Sequence, residues 1–298
     1  MNTKKVGFIG LGNMGFPMAS NLLKAGYTVY GMDVNRESEE RFAEIGGEIG
    51  FVSAPLPDDV NVIFTSLPTP QVVETVYLGS EGLIANGGAP LTLIDLSTVS
   101  PEMNKKVANA ALEKGIQYLA APVSGSVSGA EAASLSVMVG GNKETFNDAR
   151  PYFEGIGKNI FHVGEDHGLG TIVKLINNLM AGIHTQAMAE ALAIADAVKL
   201  DHDVVYDIVN VSSGQSGIFT RNYKNFIAEN EYYKGAFTTA LLFKDIKLAN
   251  HVSNLYGAKL PLGESLVNYL EDNIDGYADK DMSSVYLMLT EQKGEPVK

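Results

Sequence analysis

Three glycines near the start of the chain are spaced as they are in loops that hold a phosphate. Gly10, Gly12 and Gly15 form the pattern G-x-G-x-x-G, after an apolar run at residues 6–9 and before a stretch of helical apolar spacing. In that context the first glycine permits a tight turn, the second admits a pyrophosphate to the backbone, and the third lets the helix pack closely on the strand. Unpaired N–H groups at the helix N-terminus attract the phosphates. The pattern predicts a dinucleotide-binding loop.

An acid follows at the end of the second predicted strand, residues 28–32. Asp33 lies eighteen positions after Gly15, close to the spacing of about 20 at which an acid accepts hydrogen bonds from the adenine ribose. Because strand, helix, strand and acid stand in order, the sequence predicts that this unit binds a nicotinamide dinucleotide. The contacts expected here are Gly10, Leu11, Gly12, Asn13, Met14, Gly15, Asp33, Asn35 and Arg36.

The choice between NAD and NADP depends on the charges around Asp33. This acid suits a free 2′-hydroxyl, whereas Arg36 could meet a 2′-phosphate. Arg36 could equally pair with Glu40, four residues along a surface helix. The acids of this segment repel a phosphate more strongly than Arg36 and Arg41 attract it, so NAD is favoured and NADP stays possible. The acids besides Asp33 are Glu37, Glu39 and Glu40.

A lysine and an asparagine later in the chain share one face of a predicted helix. Lys174 and Asn178 are four residues apart, which places them on neighbouring turns. A lone lysine on a helix is nearly always a solvated surface residue. An asparagine four residues later, in a chain that begins with a dinucleotide-binding unit, favours a functional role for this lysine instead. Apolar neighbours could partly desolvate the amine; they are Val173, Leu175 and Ile176.

Small and polar residues follow several predicted strands. Residues 67–69 come after the third strand and Ser97 and Thr98 after the fourth, where an open α/β sheet binds its ligand. Each could instead be only a helix cap or a turn. Residues 121–130 are predicted as a small-residue loop, which could offer N–H groups and hydroxyls to a carboxylate or be merely flexible.

Alternating strands and helices must position these residues. Apolar runs at residues 62–66 and 92–96 are each followed by a helical stretch after a proline, which predicts a doubly wound α/β fold. From residue 171 to about 199 the spacing is helical, and helices dominate thereafter. We expect an NAD(P)-binding Rossmann domain over residues 1–165 and an all-helical substrate and dimerisation domain over residues 166–298, with a disordered tail after Lys293.

The composition argues against several classes of function. The chain has 298 residues, a net charge of −13 and no cysteine, which excludes disulfides and argues against nucleic acid or an anionic membrane as a partner. The five histidines show no metal-ligand spacing, so no metal is expected. No apolar run approaches the length of about 18 residues that spans a membrane, and the early first strand leaves no room for a cleaved signal. The expected location is the cytoplasm.

Four motifs resemble those of the β-hydroxyacid dehydrogenase family, which includes 3-hydroxyisobutyrate dehydrogenase and tartronate semialdehyde (2-hydroxy-3-oxopropionate) reductase. The family's substrate loop D-A-P-V-S-G-G is matched at residues 121–125, its helix G-x-G-x-x-x-K-x-x-N-N at residues 168–178, and its K-D pair at residues 244–245. The opening motif, G-x-G-x-M-G-x-x-M-x-x-N-L, is matched at Gly10, Gly12, Met14, Gly15, Met18, Asn21 and Leu22.

The resemblance implies an NAD(P)-dependent oxidoreductase that moves a hydride between nicotinamide and a small β-hydroxyacid or semialdehyde acid. It implies that Lys174 is the general acid/base and that Asn178 orients the substrate. The substrate carboxylate is expected at Ser124, Gly125 and Ser126. Further cofactor contacts are expected at Leu67, Pro68, Val72, Thr98 and Lys244.

Two positions depart from the family pattern and leave the particular substrate open. Ala120 stands where the family has aspartate, and Ser126 where it has a second glycine. Two other functions are alternatives: an imine reductase, which generally lacks the lysine found here at Lys174, and a non-catalytic NAD(P)-binding module, which would be expected to lose it. The long apolar-rich helix favours self-association as a homodimer or homotetramer.

Overall fold

The computed structural model describes residues 4–49, 60–235 and 237–291. The chain divides into two compact units, Met1–Lys174 and Leu175–Lys298. The division falls inside one long helix, α8 (Leu169–Ala197). The domain boundary expected near residue 165 precedes that helix, and the tail expected to be disordered after Lys293 lies outside the described residues.

In the described part of the first unit, eight strands form one sheet. Its strands are β1 (Lys5–Ile9), β2 (Thr28–Met32), β3 (Val62–Thr65), β4 (Thr92–Asp95), β5 (Gln117–Ala120), β6 (Val123–Ser124), β7 (Leu135–Gly140) and β8 (Gly157–Gly164). The first five are parallel in the order β2-β1-β3-β4-β5. Strand β7 pairs antiparallel with β5 and β6 and parallel with β8.

The carboxyl ends of β1, β3 and β4 lie side by side, so the loops that follow them share one edge of the sheet. Ser66 N–H donates to Ile9 O at 2.8 Å, and Leu96 N–H donates to Thr65 O at 2.9 Å. These bonds continue the strand pairing just past the strand ends. This edge is where open parallel sheets bind their ligands.

Helices alternate with the strands, and polar side chains account for where several begin. Asn35, Thr69, Ser100 and Asn142 each accept a hydrogen bond from a backbone N–H in the first turn that follows, which satisfies donors that have no partner inside the helix. The helices are α1 (Gly15–Lys24), α2 (Arg36–Glu44), α3 (Pro70–Leu78), α4 (Leu83–Asn86), α5 (Pro101–Glu113), α6 (Ser126–Glu131) and α7 (Lys143–Glu154).

Two apolar clusters cover the two faces of the sheet. Phe64 and Ile94 belong to one cluster, and their strand neighbours Ile63 and Leu93 belong to the other. This is the alternation expected where successive side chains of a strand point to opposite faces. Because both faces are covered, β3 is buried along its whole length, as is typical of a parallel sheet between helices.

Helices pack around a separate apolar core in the second unit. Met188 and Leu192 of α8 meet Leu242, Ile246 and Leu270 there. Although α8 has 29 residues, none of the described helices combines the length and apolar character that a membrane crossing needs. The other elements are α9 (His202–Asn210), α10 (Gly217–Asn222), a π-helical turn (Tyr223–Ile227), α11 (Thr239–Tyr256), α12 (Pro261–Asn273), a 3₁₀ turn (Met282–Ser284) and α13 (Val285–Thr290).

The predicted architecture, a Rossmann-type sheet followed by helices, is confirmed. The expectation of a loop over residues 121–130 is wrong in part, because that segment contains β6 and the start of α6. Val123 and Ser124 pair with Val137 and Ser136 of β7. Pairing with a distant strand thus overrides the weak local preference of small residues.

Candidate active site

The loop between β1 and α1 shows why two of its glycines cannot carry a side chain. Gly10 has a φ of +94°, which favours glycine, and a Cβ there would overlap the carbonyl oxygen of Ser66. A Cβ on Gly15 would overlap the carbonyl oxygen of Gly10. At Gly12 a Cβ would meet nothing within 4 Å, so the backbone is open to a pyrophosphate at the position that the fingerprint requires.

Asp33 fastens this loop to the end of β2. Its Oδ2 accepts a hydrogen bond from Leu11 N–H at 2.6 Å, and its Oδ1 accepts one from Asn35 N–H at 2.8 Å. The backbone N–H of Asp33 donates to the buried Glu39 at 3.1 Å. Each carboxylate oxygen has a further lone pair, so Asp33 can accept from a ribose hydroxyl while it holds the loop.

Arg36 and Asn35 have local partners in the structure. Arg36 Nε lies 3.2 Å from Glu40 Oε1, and the two side chains are 81% and 61% exposed. A helical pair of this kind contributes only about 0.3–0.5 kcal/mol, so it does not fix Arg36 in place. Asn35 caps α2 by accepting from Glu37 N–H at 3.0 Å, which gives it a structural role beside the predicted cofactor contact.

The loops after β3 and β4 are joined to each other. Leu67 N–H donates to Ser97 Oγ at 2.9 Å, and Ser97 N–H donates to Asp95 Oδ1 at 2.9 Å. Thr69 accepts a hydrogen bond from Val72 N–H at 3.3 Å. It is therefore the N-cap of α3, which was the alternative to a ligand contact at this position. The predicted cofactor contacts in these loops and the adjoining helix turn are Leu67, Pro68, Val72 and Thr98.

A buried polar network next to these loops was missed by the sequence prediction. Asp95 at the end of β4 has no exposed surface, and its carboxylate accepts from Thr65 Oγ1 at 2.9 Å and from Tyr118 Oη at 3.2 Å. Burial raises the pKa of Asp95, although hydrogen bonds from Ser97, Thr65 and Tyr118 act in the opposite direction. The signal available in the sequence was a carboxylate inside the apolar run at residues 92–96.

The segment predicted to hold a carboxylate has an unusual backbone. Ser124 is half-buried at the end of β6, and Gly125 and Ser126, with φ values of +140° and +62°, then turn the chain into α6. Ser126 thus adopts the left-handed conformation at the position where the family pattern has glycine, which costs a serine about 1 kcal/mol. Its Oγ lies 2.8 Å from Ser128 Oγ. The three predicted carboxylate ligands therefore run from the end of β6 into the first residue of α6.

The first turn of α8 lies directly against the sheet. A Cβ on Gly170 would overlap the carbonyl oxygen of Met138, so glycine at this place lets the helix approach β7. Asp166 in the preceding turn accepts from Gly168 N–H at 2.8 Å and pairs with Lys105 Nζ at 2.7 Å. Lys174, just over one turn into the helix, is only 9% exposed. The lysine is therefore not the solvated surface residue that a lone helical lysine usually is.

Asp166 makes the start of α8 sensitive to acid. Burial acts in the opposite direction, but hydrogen bonds from Lys105 and Gly168 N–H lower the pKa of Asp166. Such an acid contributes stability above its unfolded pKa of about 3.9 and loses it as the pH falls through the folded value. We expect Asp166→Asn to lower the free energy of unfolding at pH 7 by about 0.2–1 kcal/mol, since the pair is half-exposed.

The difference between Asp166→Asn and the parent chain should begin to shrink as the pH falls below about 4, where the unfolded chain takes up the proton first, and should vanish only below the lowered folded-state pKa of Asp166. Urea unfolding of both proteins between pH 3 and pH 7 measures it. A loss that stays constant over this range would show that the carboxylate charge has no part in the effect.

Asn178 is held by the acid of the K-D pair in the second unit. Asn178 Nδ2 donates to Asp245 Oδ2 at 2.5 Å, and the two residues are 4% and 2% exposed. Lys244 Nζ lies 3.2 Å from Asp245 Oδ1, although that oxygen receives no hydrogen bond of good geometry from the described residues. Asp245 was not among the predicted site residues; its signal was its place beside Lys244 in the motif.

Two family models match consecutive parts of the chain. Residues 5–164 match the NAD binding domain of 6-phosphogluconate dehydrogenase, and residues 168–289 match the NAD-binding domain of NADP-dependent 3-hydroxyisobutyrate dehydrogenase. A 3-hydroxyisobutyrate dehydrogenase of Pseudomonas aeruginosa is 42% identical over 87% of this chain and 88% of its own. The chain belongs to the NAD-binding hydroxyacid dehydrogenase family. The resemblance inferred from the motifs is confirmed.

Other relatives extend the match over nearly the whole chain. The 2-(hydroxymethyl)glutarate dehydrogenase of Eubacterium barkeri is 37% identical over 98% of this chain and 97% of its own. The structure of Mycobacterium tuberculosis 3-hydroxyisobutyrate dehydrogenase with L-serine superposes with a TM-score of 0.86 at 33% identity, covering 96% of this chain and 99% of that one. Family members of several substrate specificities therefore share the fold of this chain.

The cofactor of this member of the family is NAD or NADP. The residues of the first unit fit such a dinucleotide: the backbone at Gly12 is unobstructed, and Asp33, directly after β2, has a further lone pair on each carboxylate oxygen. Family membership does not distinguish NAD from NADP, because the description of the second family model names both an NAD-binding domain and an NADP-dependent enzyme.

Proposed function

We propose that the protein is a dehydrogenase that moves a hydride between nicotinamide and a small β-hydroxyacid or the corresponding semialdehyde acid. The observation that carries this proposal is that Lys174 and Asn178, four residues apart on α8, are both buried, and that Asp245 accepts a hydrogen bond from the Asn178 amide. A surface lysine needs neither burial nor an oriented polar neighbour. A non-catalytic cofactor-binding module has no use for the pair.

Each proposed site residue has a role that suits its chemistry. The amine of Lys174 takes the proton of an alcohol or returns one to a carbonyl oxygen, as a general base and acid do. Asn178 uses one amide proton for Asp245 and has a second for the substrate oxygen. Ser124 and Gly125 bind the substrate carboxylate through hydroxyl and backbone donors. Nicotinamide, when bound, supplies or accepts the hydride.

The substrates and ligands named for the relatives share one chemical core. 3-Hydroxyisobutyrate, 2-(hydroxymethyl)glutarate and L-serine each carry a hydroxymethyl group on the carbon next to a carboxylate. We propose the same core, HOCH₂–CHR–CO₂⁻, for this protein; with R as hydroxyl it is the alcohol formed from tartronate semialdehyde. Ala120 is buried in the apolar core, whereas Ser126 is exposed. Of the two departures from the family pattern, Ser126 is therefore the one placed to affect R.

A substrate panel tests the proposed function. The four acids with R as methyl, carboxyethyl, ammonium and hydroxyl are offered with NAD and NADP, and the available aldehyde acids with NADH and NADPH. Turnover of at least one acid is the expected result, with its uncharged amide as the control for carboxylate recognition. Reduction of cyclic imines without turnover of any of these acids would overturn the proposal and favour an imine reductase.

We expect a higher kcat/KM with NADH than with NADPH. Asp33 directly follows β2, and the exposed Glu37 and Glu40 lie in the first turns of α2, so the local charge repels a 2′-phosphate. Steady-state kinetics with both cofactors measure the preference, which Asp33→Ser should reduce. A preference for NADPH of tenfold or more would contradict this prediction and make Arg36 the phosphate contact.

A further inference from the structure

Four buried side chains connect β4 with the first turn of α8. Thr171 Oγ1 donates to Asn104 Oδ1 at 2.6 Å. Asn104 Nδ2 donates to Tyr118 Oη at 3.0 Å, and Tyr118 Oη donates to Asp95 Oδ2 at 3.2 Å. None of the four is more than 3% exposed. This series, which we call the Asp95 chain, joins residues of α8, α5, β5 and β4.

Every donor in the Asp95 chain points toward the carboxylate. An ionised carboxylate only accepts, so it makes Tyr118 a donor and thereby fixes which way round the Asn104 amide stands. Burial, and then the neighbouring Asp95 charge, hold the pKa of Tyr118 well above its usual range. The phenol therefore keeps the proton that it donates. Since buried polar groups are costly to leave unpaired, the four side chains have one favoured arrangement.

The other carboxylate oxygen of Asp95 holds the loops after β3 and β4. Asp95 Oδ1 accepts from Ser97 N–H and from Thr65 Oγ1, each at 2.9 Å. Ser97 Oγ in turn accepts from Leu67 N–H at 2.9 Å. Leu67 and Thr98 in these loops are proposed cofactor contacts. A single buried carboxylate thus fixes the cofactor loops on one side and the start of α8 on the other.

The turn of α8 that the Asp95 chain holds is the turn that leads to Lys174. Thr171 and Lys174 are three residues apart in the helix, so they occupy neighbouring positions on one face. A reacting group displaced by about 1 Å can lose about a hundredfold in rate. The position of the Lys174 amine relative to the cofactor loops therefore depends on how firmly this turn is held.

We propose that Asp95 and Tyr118 are positioning residues, which set the place of the Lys174 amine relative to the loops that receive the cofactor. This inference rests on the proposed function, because it needs Lys174 to be the proton-transferring group. Neither Asp95 nor Tyr118 touches the substrate in this account. They act through Asn104 and Thr171.

Tyr118 and Tyr77 offer a matched pair of substitutions. Both phenols are buried, their rings meet edge to face at 5.7 Å, and Tyr77 Oη lies 2.7 Å from Thr65 Oγ1, which is also bonded to Asp95. Of the two, Tyr118 lies in the series of hydrogen bonds between Asp95 and α8, whereas Tyr77 lies outside that series. Tyr118→Phe is expected to lower kcat by about fivefold or more, the effect of one lost hydrogen bond, with little change in the Kd for NADH. Tyr77→Phe should leave kcat within about twofold of the parent value, although both variants lower Tm.

Asp95→Asn tests the carboxylate itself. The amide has nearly the same shape, but its nitrogen cannot accept a hydrogen bond, so the variant disturbs both sides of the network. It should lower kcat as Tyr118→Phe does and also weaken NADH binding, since Ser97 N–H loses its charged acceptor and Ser97 is the residue that holds Leu67. Unchanged kcat in Asp95→Asn would contradict the proposal.

Hydrogen exchange gives a readout that does not depend on activity. In the cofactor-free protein, Tyr118→Phe should raise amide exchange over residues 169–175, because the first turn of α8 opens more readily. Tyr77→Phe should not. The double variant Tyr118→Phe/Thr171→Val should have a kcat no lower than that of the less active single variant, since each substitution breaks the same chain.

The outcomes separate this inference from the proposed function. Equal changes of kcat and of exchange in Tyr118→Phe and Tyr77→Phe would overturn the inference, because the hydroxyls would then only stabilise the unit. If Lys174→Ala keeps full kcat, the proposed function fails instead. The exchange difference between the two tyrosine variants would still report whether the Asp95 chain holds α8.

Discussion

Replacing Lys174 with alanine is expected to lower kcat by about 10²–10⁴-fold, the usual contribution of general acid–base catalysis, while the Kd for NADH changes little. The proposed dinucleotide contacts lie mainly in the β1–α1 loop, at Asp33 and after β3 and β4, so binding does not need the amine. If the role of Lys174 were purely structural, Lys174→Ala would lower Tm, and it would not lower kcat selectively while leaving the Kd for NADH unchanged. Turnover and fluorescence titration with NADH, both on the same variant, measure the two quantities.

Two further lysine variants sharpen this test. Lys174→Arg keeps the positive charge but does not release its proton near neutral pH, so it should be nearly inactive as well. Lys106→Ala is the matched control, because Lys106 pairs with Glu74 on the half-exposed surface of the same unit and should leave kcat unchanged. A Lys174→Ala variant that retains more than about a tenth of the parent kcat would contradict the assignment.

Replacing Ser124 with alanine is expected to raise the KM for the acid substrate by about ten- to a hundredfold, with a smaller change in kcat. A hydrogen bond to a charged group is worth about 1.5–3 kcal/mol, and a contact equally strong in the ground state and the transition state affects KM more than kcat. The uncharged amide of the substrate should be a poor substrate for the parent protein. Steady-state kinetics on the acid and the amide measure both effects.

Ser134→Ala is the matched control for the carboxylate segment. Ser134 Oγ donates to Gly129 O at 3.3 Å just before β7, so its loss should leave the KM of the acid unchanged. Equal turnover of acid and amide by the parent protein would show that residues 124–126 bind something other than a carboxylate.

Features that rest on neighbouring residues could be read from the sequence. The close approach of Gly15 to Gly10, the cap at Thr69 and the hydrogen bond from Leu11 to Asp33 each depend on residues within one strand–helix unit or the strand that follows it. Local backbone sterics and local hydrogen bonding decide such features, and they act in the same way in any chain with that pattern. The helix that carries Lys174 was predicted for the same reason.

The Asp95 chain could not be predicted, because its partners are far apart in sequence. Its hydrogen bonds join residues separated by 23, 14 and 67 positions, and only the packed sheet shows which buried side chains meet. The strand β6 was missed for a similar reason, since its partner β7 decides it. The roles of the site residues, the cytoplasmic location and the homodimeric or homotetrameric state stay predictions.

The two hydrogen bonds that Asp33 accepts have a consequence for engineering this protein toward NADPH. The acid that would discriminate between the two riboses is also the acceptor for Leu11 N–H, so a replacement that admits a phosphate also releases the loop beneath the pyrophosphate. A single exchange at Asp33 should therefore give a protein that binds both dinucleotides poorly. Changes at the exposed residues 34–37 that leave Asp33 in place offer a route that keeps the loop anchored.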